Sequence, residues 1–81
     1  MALPENEVLA HLADIVSEET GIDTAEIQLD KSFTDDLDID SLSMMTIVTL
    51  AEEKFDVRIP DEEVKNLVTV GDAVTFIANQ G

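Results

Sequence analysis

The 81-residue sequence contains no cysteine, which excludes a disulfide framework, a thiolate zinc site and a cysteine nucleophile. Basic residues are scarce as well: four Lys and Arg stand against nineteen Asp and Glu, for a formal net charge of −15. A charge of that sign repels phosphate backbones and anionic lipid surfaces, so neither nucleic acid nor membrane insertion is expected. The natural complement is a basic protein surface, with charge steering to speed the encounter. No apolar run is long enough to cross a bilayer. The opening MALPENEV has neither a basic nor an apolar signal region, so a cytoplasmic location is expected.

What is present argues for a folded chain, since a hydrophobic content of 44% is too high for an acidic disordered tail. Residues 1–81 are expected to form a single domain, large enough for a modest core and too small for a cleft between domains. Nothing calls for a stable oligomer, so a monomer is expected.

From Glu5 to Thr20, Val8, Leu9, Leu12, Ile15 and Val16 recur at helical spacing. Pro4 suits a first turn and Gly21 a left-handed stop. Gly21 to Asp40 shows no sustained period. A connection that long is expected to be ordered, with Ile27, Leu29, Phe33 and Leu37 pinning it to the core, Ser32 or Thr34 closing short turns and one brief helical turn. Ser41 to Phe55 reads as a second helix with Asp40 as N-cap. Asp61 to Asn66 reads as a short third helix capped by Asp61. Thr69 opens the last, with Asp72 completing an approximate capping box and Val70, Ala73, Val74 and Ile77 facing inward beside Phe76. The predicted fold class is all-α: a four-helix bundle, three main helices plus one short helix, with a long loop between helices one and two.

The second helix has two faces. Met44, Ile47, Val48, Ala51 and Phe55 form a core stripe, with Phe33 and Ile59 as neighbours. Opposite lie Leu42, Met45, Thr46, Thr49, Glu52, Glu53 and Asp56. A partly apolar face with an acidic rim fits a docking surface, although single exposed leucines and methionines are also ordinary.

The densest charge is DDLDIDSLSMM, residues 35–45, which sets Ser41 where the helix begins. A serine nucleophile needs a base, and the one histidine, His11, lies midway along the first helix as an ordinary surface residue; no G-x-S-x-G elbow surrounds Ser41. A self-contained hydrolase is not expected. Asp36, Asp38 and Asp40 match the first three ligand positions of an EF-hand, but Ser41 and Ile47 stand where glycine and glutamate are required, so no dedicated metal site is expected. Three readings stay open on local grounds. Ser41 is an inert first-turn residue, a phosphorylation site, or the carrier of a covalent group beside the free N–H groups of the helix start.

Asp40-Ser41-Leu42, set within FTDDLDIDSLSMM and followed by EEKFDVRIPDEE (residues 52–63) and TVGDAVTFI (residues 69–77), resembles the bacterial acyl carrier proteins of the free-standing kind that serve dissociated fatty acid synthesis. The resemblance spans the whole chain. It implies that Ser41 carries 4′-phosphopantetheine, installed from coenzyme A by a separate phosphopantetheinyl transferase, and that the arm's thiol holds growing acyl chains as thioesters. It implies a carrier with no chemistry of its own. It implies an acyl group that retreats between helices, among Met44, Ile47, Val48, Ile59, Leu67 and Val70. The expected partners are fatty acid synthesis enzymes with basic docking surfaces, met by Asp35, Asp36, Asp38, Asp40, Leu42, Met45, Glu52, Glu53 and Asp56.

The chain departs from its relatives at Ser43 and Thr46, where many have acids that grip partners; here the acids lie before and after that stretch, with Lys54 among the later ones. The alternatives are a polyketide-type carrier or an unmodified acidic module that binds proteins or divalent cations. A peptidyl carrier is disfavoured, because Leu37-Asp38-Ile39-Asp40 replaces the Gly-Gly approach common there.

Overall fold

The computed structural model describes residues 4–80 of the chain. Helix α1 runs Glu5–Thr20, a 3₁₀ turn Thr24–Glu26, α2 Ser41–Phe55, α3 Asp61–Val64 and α4 Val70–Gln80. Among the described residues there is no strand, only an isolated bridge between Ser32 and Thr69. The four-helix architecture with a long first connection is the predicted one.

Local chemistry explains the boundaries. Gly21 ends α1 at φ 81°, donating its N–H to the Ser17 carbonyl at 2.7 Å. A left-handed residue there needs no Cβ, which is glycine's particular fitness for the position. Asp40 caps α2 by accepting the Ser43 N–H at 2.8 Å. Thr69 and Asp72 form a reciprocal capping box: the Thr69 N–H donates to Asp72 Oδ2 at 3.2 Å, and the Asp72 N–H to Thr69 Oγ1 at 3.1 Å. Helix α3 departs from expectation. It stops at Val64, and Pro60 rather than Asp61 takes the capping position. Its single turn closes on the Pro60 carbonyl, which accepts from Glu63 and Val64, so Asp61 is already inside the helix.

Val8, Leu12 and Val16 of α1 are buried against α2 and α4, and α1 packs along both. Helices α2 and α4 meet each other far less. Between them the core is completed by Phe33 from the long loop, Ile59 and Leu67. The loop reaches that place through backbone bonds to the α3–α4 linker and the first turn of α4: Phe33 N–H to the Val68 carbonyl, Val70 N–H to that of Lys31, and Gly71 N–H to that of Leu29. Gly71 is required here, because a Cβ would stand 2.9 Å from the Leu29 carbonyl oxygen. Ile27, Phe33 and Leu37 are buried as expected, but Leu29 is 47% exposed. It sits in a turn whose carbonyl faces α4, so it anchors the loop through its backbone.

Candidate functional site

Ser41 is the first residue of α2 and is exposed. Because Asp40 supplies the cap, the Ser41 hydroxyl has no capping duty. The Ser43 backbone N–H, followed by the Ser43 hydroxyl, holds the Asp40 carboxyl below the usual carboxylate range, so this acid is ionised at neutral pH. Just before it, Asp38 adopts φ 54° and redirects the chain into the helix. Aspartate tolerates the left-handed region better than most side chains, because its carboxylate bonds locally.

The hydroxyl borders a cleft of about 310 Å³ whose lining includes Thr34, Asp40, Ser41 and Met45 from the loop and α2, and Val64, Lys65 and Val68 from α3 and the segment after it. Its floor is Phe33, Met44 and Leu67. Those three residues also line a void of about 10 Å³ deeper in the bundle, whose other walls are Leu12, Ile47, Val48, Ala51, Ile59, Ala73 and Ile77. Every wall of the void is apolar, and its volume is that of about one water-sized probe. Floor and void share one partition. Met44 within it is unbranched and flexible, the kind of side chain that adapts to irregular space. Of the predicted lining, Met44, Ile47, Val48, Ile59 and Leu67 are in place, whereas Val70 is buried but lines neither space.

The predicted contact residues divide by what they already do. Leu42 is 80% and Met45 43% exposed, on the outward side of α2. Asp36 Oδ2 accepts the Ser32 N–H at 2.7 Å and thereby shapes the loop. Glu52 Oε2 accepts the Ile59 N–H at 2.7 Å and ties the exit of α2 to α3, so Glu52 is half-buried rather than outward. Asp35, Asp38, Glu53 and Asp56 are exposed. His11 lies on the surface, with its ring 6.0 Å from that of Phe55. Sequence reasoning missed Thr34, Val64, Lys65 and Val68 as cleft residues; a one-turn helix has no periodicity from which to read a face. Among the described residues no cluster of potential metal ligands was found, and no helix is long and apolar enough to cross a membrane.

A small acidic bundle that leaves one helix-start hydroxyl at the mouth of an apolar cleft is built as a carrier scaffold. Comparison with known proteins places it in a family. Residues 10–77 match the family model described as the phosphopantetheine attachment site. The chain is 77% identical over 78 residues to an acyl carrier protein of Beutenbergia cavernae, covering 96% of this chain and 95% of that one. It is 74% identical over 73 residues to one from Myxococcus xanthus, covering 90% and 92%. A solved structure of the acyl carrier protein from Enterococcus faecalis superposes with a TM-score of 0.81 at 33% identity, covering 98% of this chain and 100% of that chain. The chain belongs to the bacterial acyl carrier protein family: a carrier rather than an enzyme, with phosphopantetheine as its prosthetic group.

The site fits that group. An exposed hydroxyl is open to a loading enzyme, and the adjoining cleft has a polar rim at Thr34 and Lys65 and an apolar floor, matching an arm with a charged end and a largely uncharged length.

Proposed function

We propose that Ser41 is the attachment point of 4′-phosphopantetheine, installed by a phosphopantetheinyl transferase from coenzyme A. Residues 1–81 then act as a single cytoplasmic carrier domain that delivers growing acyl chains to fatty acid synthesis enzymes. When bound, the group supplies a thiol-ended arm on which an acyl chain rides as a thioester, the soft nucleophile that a cysteine-free chain lacks. The observation that carries the assignment is the position of Ser41: exposed, relieved of capping by Asp40, and on the rim of a cleft that shares its floor with an apolar void.

This chain's own residues do three things in the proposal. Ser41 offers its oxygen at a fixed helix end. Phe33, Met44 and Leu67 separate the cleft from the void, and their displacement admits an acyl chain between α2 and α4, whose mutual packing is sparse. Leu42 and Met45 present the apolar part of the docking face, while Asp35, Asp38, Glu53 and Asp56 offer the carboxylates without backbone duties; Asp36, Asp40 and Glu52 add charge while holding structure. The test is the intact mass of protein purified from its native cell. One phosphopantetheine adduct is expected and should vanish in Ser41→Ala. A chain that stays unmodified, even with a promiscuous transferase and coenzyme A, removes the assignment.

A further inference from the structure

A phosphodiester on Ser41 adds negative charge to a chain already at −15, next to an ionised Asp40. The start of α2 does not offset it fully: the Asp40 carboxylate already takes the Ser43 N–H and sets its own charge against the positive end of the helix dipole. A side-chain cation nearby would offset it further. The chain has four Lys and Arg. Lys54 lies at the far end of α2, Lys31 and Arg58 lie outside the cleft, and Lys65 lines the same cleft as Ser41. Lysine suits this place, because its aliphatic stem can lie along Val64 and Val68 while the ammonium stays at the wet rim.

We propose that Lys65 is the positioning residue for the prosthetic arm: its ammonium pairs with the phosphodiester on Ser41 and lays the proximal arm along the cleft toward α3, away from Leu42. The arm is thereby stored beside its apolar floor between visits to enzymes, and Leu42 of the docking face stays clear. A basic partner competes for the same phosphate, so docking itself releases the arm. The pairing is exposed, and a bias of about 1.5- to 5-fold toward the stored arm is expected at low ionic strength, fading with salt.

This inference rests on attachment at Ser41, and the test separates the two. Wild type, Lys65→Gln, Lys65→Arg and Lys54→Gln are loaded from coenzyme A by a promiscuous transferase and followed by intact mass, by the phosphorus resonance and by backbone amide resonances. All four are expected to gain the adduct. In wild type, loading is expected to shift the amides of residues 64–68, and the phosphorus resonance to depend on salt. Both responses should disappear in Lys65→Gln and persist in Lys65→Arg and Lys54→Gln. A loaded wild type whose residues 64–68 do not respond, with the same phosphorus resonance as Lys65→Gln, overturns the role of Lys65 and leaves Ser41 standing. Failure of wild type to load overturns both.

Discussion

On one side of the molecule α1 lies along both α2 and α4, with Val8, Leu12 and Val16 sealed from solvent. On the other side α3 is one turn long and shares with Ser41 the lining of an open cleft. The first side is built from sixteen helical residues with an apolar stripe. The second is assembled from a loop, a linker and a few backbone bonds such as that from Phe33 to Val68. The difference teaches where stability and function reside. The α1 side holds the fold together, and the α2–α3 side holds the cleft in which, under the proposed function, a tethered chain comes and goes.

The comparison is broken most sharply by truncation on each side. Leu12→Ala should cost about 2–5 kcal/mol, much of the roughly 4–12 kcal/mol expected for a domain this size. Val68→Ser, on the cleft rim at 54% exposure, should change stability by less than about 0.5 kcal/mol. Chemical denaturation of the two variants gives both values. Equal losses would mean that the cleft side carries the fold as well.

Docking is the next largest effect. Replacing Leu42 and Met45 together by serine should lower turnover with a partner synthase by about tenfold or more, as loss of an interface anchor does, with a nearly unchanged melting temperature. A large drop in melting temperature would place these side chains in the core. Smaller again are the two left-handed positions. Gly21→Ala meets open space but must hold φ 81°, so a loss of about 1 kcal/mol is expected. Asp38→Gly should stay within about 0.5 kcal/mol, because relief at φ 54° is offset by a more flexible unfolded chain.

The smallest effect is electrostatic. The Asp40 carboxyl is held low by the Ser43 N–H, so the folded state binds its proton less readily than the unfolded chain does. Its stabilisation is therefore complete above the unfolded carboxylate pKa and is lost as pH falls through the lower folded value. Mild acidification meanwhile relieves the self-repulsion of the −15 chain, as added salt or magnesium should, so melts are expected to firm with either before the cap is lost. Carbon resonances of Asp40 followed through acid report the cap directly. A midpoint above that of an ordinary aspartate would reverse the sign.

Much of this was legible in the residues. Helix α1 carries its own stripe and its own stop at Gly21, and α2 its cap at Asp40, so their bounds follow from local chemistry. The core residues Met44, Ile47, Val48 and Ala51 follow from phase alone. What was hidden depends on tertiary closure. Leu29 looks like an anchor by type but holds through its carbonyl. Glu52 looks like a docking acid by phase, yet spends its carboxylate on Ile59 seven residues on. Lys65 and Val68 join the site only because the chain around α3 lines the same cleft as Ser41.

The central claim is that one particular hydroxyl is the tether, and fragmentation mass spectrometry of the loaded protein tests it residue by residue. The expected result is the whole adduct on Ser41, with Ser17, Ser32 and Ser43 bare. An adduct on Ser43, two positions along the same helical turn, or on any other residue would contradict it.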